Sequence, residues 1–248
     1  MIRTLALVAY FALALILVLP WFILWSWLTG NPDAMYFTAM RAVRFGNRIA
    51  GIRVRVEGLG AIPSGVCIFA ANHISNVDPL AFIPAIPRRV SILVKKELFR
   101  IPILAAAMRG AHFIPVDRRD PEAAAASVDL AVGQIRRGTS FAVYPEGTRS
   151  PDGHLRPFKR GAFVMAIQTA APIVPVSISG AQHLLRKGRW ALHPGVVVVH
   201  FAAPIDSAPY NMDRRGELLA HVEAAVAANL PPDQQPLRAA ASVSHDDA

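Results

Sequence analysis

The chain has 248 residues, 53% hydrophobic and 17% charged, too apolar for a disordered protein and long enough for one substantial α/β core with an appendage. Its mean hydropathy of +0.35 strains a purely cytosolic reading and predicts apolar surface that faces lipid. The 26 Lys and Arg residues against 17 Asp and Glu leave a net charge of +9, which points to an anionic partner such as acidic lipid, nucleic acid or a phosphorylated substrate. A single cysteine, Cys67, excludes an internal disulfide framework and a Cys-based zinc cluster.

In chain order, residues 4–32 carry no charge, and 5–28 are almost wholly Leu, Ala, Val, Ile, Phe and Trp. That is roughly the 20 residues that cross a bilayer as a helix. Trp21, Trp25 and Trp27, three of the four tryptophans, cluster at its C-terminal end as aromatics do at headgroup level. The stretch is too long for the apolar core of a signal peptide, and no convincing small-x-small cleavage site accompanies it. We therefore read it as a membrane anchor. Pro20 is placed to kink it, which leaves open a helix that dips into one leaflet instead of spanning. Arg41, Arg44 and Arg48 follow at helical spacing, so residues 32–50 read as a second, amphipathic helix against acidic headgroups. By the positive-inside rule these arginines put the remainder on the cytoplasmic side, with Arg3 pulling the other way.

Beyond residue 50, β-branched or aromatic runs of strand length recur at 52–56, 66–70, 90–94, 113–116, 141–144, 173–178 and 196–201. Between them lie helical stretches. Asp120 and Pro121 supply an N-cap and first-turn proline for a helix reaching Gly138, and 160–170 and 213–230 are two more. The alternation predicts an α/β fold, a mixed, largely parallel sheet flanked by helices, behind the anchoring helix or helix pair. The expected organisation is an anchoring segment at 1–50, a catalytic domain at 51–230 and a disordered tail at 231–248, which is proline-, alanine- and serine-rich.

Three loops at predicted strand ends carry chemistry. The first holds Asn72, His73, Ser75, Asp78 and Pro79. An apolar strand that delivers a histidine to a polar loop is how α/β proteins place a reactive side chain at the sheet's carboxyl edge. On a continuous helix His73 and Asp78 would sit about 140° apart; in a turn that bends back, the carboxylate reaches the imidazole, fixes its tautomer and leaves the other nitrogen as a base. The competing reading makes Asp78 an N-cap ahead of Pro79. The second loop runs from Tyr144 through Pro145, Glu146, Gly147, Thr148 and Arg149 to Ser150, a glycine turn suited to close approach of a phosphate and to a bidentate arginine grip. Lys159 and Arg160 then open a helix whose N-terminus adds donors and positive dipole. The third delivers Arg118 from the end of the strand at 113–116. Cys67 sits inside an apolar strand and reads as core. No metal-ligand cluster is expected.

Together these strings resemble the glycerolipid acyltransferases. Asn72-His73-x-Ser75-x-x-Asp78, then Lys96-Glu97-Leu98 with Pro102 and Arg118, then Tyr144-Pro145-Glu146-Gly147-Thr148-Arg149-Ser150, and finally Val174-Pro175-Val176 are similar, as four ordered blocks across 51–204, to those of the 1-acyl-glycerol-3-phosphate acyltransferases of bacterial phospholipid synthesis. Tyr144 stands where phenylalanine is usual, and Ala105 where a glycine often falls. The resemblance implies His73 as base and Asp78 as its orienting partner. It implies Arg118, Glu146, Gly147, Thr148 and Arg149, with Lys159 nearby, as binding groups for the acceptor phosphate, and an anchoring helix pair ahead of the catalytic domain.

The implied reaction is transfer of a fatty acyl group from acyl-CoA or acyl carrier protein to the sn-2 hydroxyl of lysophosphatidic acid at the membrane, giving phosphatidic acid, with no cofactor. His73 would take the hydroxyl proton, and donors near Asn72 or in the turn from Glu146 to Thr148 would hold the oxyanion. Alternatives are another lysolipid acceptor, such as a lyso-ornithine lipid or another lysophospholipid, a hydrolase, or a membrane-tethered module that binds acidic lipid or nucleic acid. No nucleic-acid motif is present, and none is expected as a partner.

Overall fold

The structure is a computed structural model that describes residues 1–117, 119–185 and 188–237. A 28-residue apolar helix, long and apolar enough to cross a membrane, runs from Ile2 to Thr29. It consists of α1 (Ile2–Leu13) and α2 (Leu19–Thr29), joined by a π turn at Ala14–Val18. The disturbance expected at Pro20 takes this form: proline has no N–H to offer the preceding turn and its ring crowds a carbonyl there. The helix absorbs the conflict as one wide turn, Leu19 N–H reaching back to the Ala14 carbonyl.

After a left-handed Gly30, α3 (Asp33–Ala50) returns antiparallel. The two helices meet closely at Gly46, where an added Cβ would stand 2.9 Å from the Phe11 ring. The outer face of α1 and α2 is bare: Leu5, Leu17, Trp21, Trp25 and Trp27 are all exposed. The inner helix rests on the α/β domain. Arg44, an exposed residue, donates to the Pro84 carbonyl, and Asn47 Nδ2 donates to the Leu80 carbonyl at 2.8 Å. At the far end Asp33 pairs with Arg89 at 3.1 Å. The outer helix is tied too: Thr4 Oγ1 donates to the Trp190 carbonyl at 2.8 Å and accepts from Leu192 N–H at 3.0 Å. The helix pair therefore lies along the domain and does not project from it. A single residue, Gly51, separates α3 from the first strand.

The strands are β1 (Ile52–Glu57), β2 (Ile68–Ala71), β3 (Val90–Lys95), β4 (Ile114–Val116), β5 (Ser140–Val143), β6 (Ile173–Ser179) and β7 (Gly195–Phe201), with α4 (Asp78–Ala85), α5 (Pro102–Gly110), α6 (Pro121–Arg136), α7 (Gly161–Thr169), α8 (Ala181–Leu184) and α9 (Arg215–Ala227) between or after them. They form one seven-stranded sheet in the order β1-β7-β6-β2-β5-β3-β4. Every neighbouring pair is parallel except β6 with β7, the mixed, largely parallel sheet expected. Central β2 and β5 are buried throughout, as strands covered on both faces must be. Phe69, Val174 and Phe201 pack with Phe82 of α4 on one face; Phe141 and Ile173 pack with Phe163 of α7 and Leu218 of α9 on the other.

One irregularity positions the site. β3 pairs with β5 only through Val90, Ser91 and Ile92, then leaves it and pairs with β4 through Leu93, Val94 and Lys95. The sheet splits between β5 and the second half of β3.

Three short helices, α4, α5 and α8, fall outside the helical stretches given above, the first of them where the capping reading of Asp78 implied one. α4 and α5 open on a proline in the first turn, and α4 holds Pro84 near its end. The disorder expected from residue 231 does not hold for 231–237: Gln234 is buried, its carbonyl accepts from Leu155 N–H at 2.9 Å, and Gln235 Nε2 donates to the Ala227 and Leu230 carbonyls. Residues 238–248 lie outside the described residues.

Candidate active site

Five strands, β6, β2, β5, β3 and β4, run in one direction, so the loops that follow β2, β3, β4 and β5 emerge at one edge of the sheet. The loop after β2 starts with a pin. Asn72 is fully buried, its Nδ2 donating to the Ile178 carbonyl at 2.9 Å and its Oδ1 accepting from Ile178 N–H at 2.7 Å. The side chain carries on the bonding to β6 where β2 stops. Its amide is thus engaged in holding the loop to β6.

The next residue is His73. Its Nδ1 lies 2.8 Å from Asp78 Oδ2, so the turn does bring the two together. The same oxygen accepts from Ile74 N–H at 2.7 Å and Ser75 N–H at 2.8 Å. Asp78 is the first residue of α4, but its Oδ2 turns back into the loop and its buried Oδ1 has no hydrogen-bond partner, so it caps no N–H of that helix. The capping reading fails on this geometry. Asp78 is 0% exposed. Burial pushes its carboxyl above the usual range, opposed by the imidazole and by the N–H groups of Ser75 and Ile74. Nδ1 being engaged, the nitrogen left for chemistry is Nε2.

The loop after β5 wraps behind His73. Tyr144 stacks on the imidazole with ring centroids 4.1 Å apart and planes 21° from parallel, and meets Phe82 edge-on at 5.8 Å. Its hydroxyl is buried without a hydrogen-bond partner, and burial, helped by the Asp78 charge, holds it protonated well beyond the ordinary range. The Glu146 carboxylate points inward: Oε1 accepts from His73 N–H at 2.6 Å and Oε2 from Arg156 N–H at 3.3 Å. Burial pushes its carboxyl up to about 8, the two backbone donors opposing and the Asp78 charge adding. Ser150 N–H returns to the His73 carbonyl at 2.8 Å, so both backbone groups of His73 are held by this one loop.

Gly147 has φ +73° and its N–H closes the turn onto the Tyr144 carbonyl at 2.9 Å; a Cβ here would press to 3.1 Å on the Lys159 stem. Glycine thus lets the Lys159 chain cross the turn. Thr148 is exposed, its Oγ1 donating to the Arg149 carbonyl at 3.2 Å. Arg118 lies outside the described residues; its neighbour Asp117 pairs with Lys96, whose ammonium holds the carboxyl below the usual range.

A cavity of about 400 Å³ fills the split in the sheet. His73, Tyr144, Lys95, Gly147 and Lys159 line it at the loop edge, and Leu93, Val128, Ala162 and Met165 line its apolar interior. Its walls include Ala142 and Val143 of β5 together with Ile92 and Val94 of β3. Lys95 was not anticipated as a site residue; the only signal was its place at the end of β3, just ahead of the Lys96-Glu97 string. Cys67 is fully buried and its thiol is pushed up to about 11 by burial, so it is a core residue. Among the described residues no group of three or more His, Cys, Asp or Glu is placed to hold a metal.

Comparison with known proteins places this geometry. A 1-acyl-sn-glycerol-3-phosphate acyltransferase of Limnanthes douglasii is 33% identical over 190 residues, covering 76% of this chain and 67% of that protein. One of Limnanthes alba is 30% identical over 234 residues, covering 92% and 82%. The crystal structure of the 1-acyl-sn-glycerophosphate (LPA) acyltransferase PlsC of Thermotoga maritima superimposes with a TM-score of 0.81 at 28% identity, covering 91% of this chain and 92% of that one. The family model described as acyltransferase matches residues 53–179, the span from β1 to the end of β6 that holds every loop described above, and the chain belongs to that acyltransferase family.

Proposed function

We propose that the chain is a 1-acyl-sn-glycerol-3-phosphate acyltransferase: it moves a fatty acyl group from an acyl thioester, on coenzyme A or acyl carrier protein, to the sn-2 hydroxyl of lysophosphatidic acid, and so makes phosphatidic acid for phospholipid synthesis. The observation that carries this reading is the His73 and Asp78 pair at the mouth of an apolar cavity flanked by Lys95 and Lys159. A long chain, a proton to remove and an anion meet there.

The thioester is already activated, so the work is to make a lipid hydroxyl nucleophilic. Nε2 of His73 takes the hydroxyl proton as the oxygen bonds to the thioester carbonyl carbon. Asp78 stabilises the imidazolium that forms. When the tetrahedral adduct collapses, the C–S bond breaks and His73 returns its proton to the leaving thiolate. Atoms and charge balance with no metal or prosthetic group, the thioester being a co-substrate. In this reading the acyl chain lies in the apolar interior of the cavity, and Lys95, Lys159, Arg149 and Arg118 hold the phosphate. Thr148 is on the exposed side of the same turn, and Gly147 makes room for Lys159. Glu146 acts from behind, holding the turn to His73.

The substrates also account for the helix pair. Each buried methylene is worth about 0.8 kcal/mol, so a long-chain substrate leaves a bilayer reluctantly. The bare apolar face of the helix from Ile2 to Thr29 supports membrane association. Since the pair lies along the domain, the reading favoured is an anchor in the plane of one leaflet, with the catalytic domain on the cytoplasmic side.

The test is an acyl-transfer panel: purified protein, acyl-CoA or acyl carrier protein donors, and lysophosphatidic acid, lyso-ornithine lipid or lysophosphatidylcholine as acceptor. Transfer to lysophosphatidic acid is expected to dominate. Arg118→Ala and Arg149→Ala should raise its KM about 10- to 150-fold, the worth of a charge-assisted bond, with little change in donor KM. Preference for an acceptor without a phosphomonoester, or hydrolysis without transfer, would overturn the assignment.

A further inference from the structure

Where α1 begins, α3 ends and β1 begins, three arginines meet. Arg3, Arg48 and Arg53 line one cleft of about 490 Å³, and no Asp or Glu is among its lining residues. Gly51 lies between them with φ +75°; a Cβ there would stand 2.5 Å from Arg3 Nη1, so the glycine admits the guanidinium. Arg3 donates to the Ala50 carbonyl at 3.4 Å. Among the described residues the guanidiniums of Arg48 and Arg53 make no hydrogen bond or ion pair, although the Arg48 carbonyl accepts from Gly51 N–H at 3.0 Å. Guanidiniums gathered without a counter-charge repel one another, and their planar forks suit phosphate oxygens.

Two independent features say where that anion comes from. Trp190 is 84% exposed, and its segment is held against the first turn of α1 by Thr4, which donates to the Trp190 carbonyl and accepts from Leu192 N–H. An exposed indole beside the start of an apolar helix is the arrangement of a membrane interface. Then there is the sheet. β1 and β7 run opposite to β2, so their first residues lie at the same edge as the carboxyl end of β2 and His73. In the order β1-β7-β6-β2 that is three strand spacings across the sheet, about 14 Å; along the strands, Ala71 is level with Phe201 and Arg53 with Val196, so the cleft lies further out than His73. Cleft and reacting histidine therefore share one edge of the sheet.

We propose that the cleft of Arg3, Arg48 and Arg53 is a second phosphate site, separate from the reacting one, which binds the headgroup of an anionic phospholipid in the bilayer that holds the outer helix. It rests on the membrane reading above and adds orientation to it: a bound headgroup there turns the loop edge of the sheet toward the lipid surface. A nucleic-acid backbone would want a basic stripe, whereas this is a compact cleft beside a bare indole.

The test is vesicle flotation of the full chain, with phosphatidylcholine alone and with phosphatidylcholine mixed with phosphatidylglycerol. Wild type should partition onto both and favour the anionic vesicles. Replacing all three arginines by Gln should remove that preference, at about fivefold per arginine, while leaving binding to neutral vesicles and turnover of a short-chain soluble acceptor unchanged. A control with Arg136→Gln, Arg137→Gln and Arg215→Gln loses the same charge elsewhere and should keep most of the preference. Inorganic phosphate at constant ionic strength should not abolish it; if it does, the cleft is a site for free phosphate. Equal losses in the two triple variants, or retention on duplex DNA that only the cleft variant loses, would overturn the proposal. Failure of wild type to bind even neutral vesicles would instead overturn the membrane reading beneath it.

Discussion

The backbone N–H of His73 donates to Glu146 Oε1 at 2.6 Å, joining the loops after β2 and β5 through a carboxyl that burial pushes up to about 8. Unfolded, that carboxyl returns to its ordinary value near 4.5. Between those values the folded chain holds a proton that the unfolded chain releases, so stability is lost as pH rises through the window. The midpoint of thermal unfolding should fall from about pH 5 to about pH 9 in wild type, and Glu146→Gln, which mimics the protonated acid, should flatten that slope. Parallel slopes in the two proteins would show that the carboxyl titrates normally.

His73→Ala should lower turnover about a hundred- to ten-thousandfold, the usual worth of a general base, with little change in unfolding temperature. Asp78→Asn should cost nearly as much rate. Because Asp78 caps no N–H of α4, its effect should be kinetic, and a variant that mainly loses thermal stability at near-normal kcat would restore the capping role.

Tyr144 separates ring from hydroxyl. The ring stacks on His73, while the hydroxyl is buried without a partner, a situation that costs about 1 to 3 kcal/mol. Tyr144→Phe should therefore keep kcat and raise stability by about 1 kcal/mol. Tyr144→Leu removes the stack and should lower kcat about tenfold through a loosely held imidazole. Urea unfolding and steady-state rates on both variants decide it.

Ala162 and Val128 wall the apolar interior of the cavity. Ala162→Phe or Val128→Phe should cut kcat/KM for long acyl donors about fourfold per methylene excluded, and leave short donors near wild type. A donor series of increasing chain length reads this directly; a uniform drop across the series would place the chain elsewhere.

Much of the fold was legible because buried strands write their own signal: seven β-branched or aromatic runs became seven strands, and Asp120 caps α6 through the N–H groups of Glu122 and Ala123. α4 and α5, at eight and nine residues, were too short to display a helical period. The pairing of His73 with Asp78 could be read as one of two outcomes of a local turn. The inward aim of Glu146 and Asn72 could not: their partners, His73 and Ile178, lie 73 and 106 residues away, and only assembly of the sheet brings them near. The cavity was illegible for the same reason, since it exists only because β3 exchanges one neighbour for another halfway along.

The lone residue between α3 and β1 has a mechanical meaning. Gly51 is itself fastened, its carbonyl accepting from Gly195 N–H at 3.1 Å, so there is no slack between the apolar pair and the edge of the sheet. Any roll of the pair must carry the sheet with it, as a handle carries a blade. The height of His73 above the apolar pair is consequently built into the covalent frame and cannot be adjusted by a tether. With the helix pair in a leaflet as proposed, an enzyme framed this way would meet its acceptors at one fixed depth.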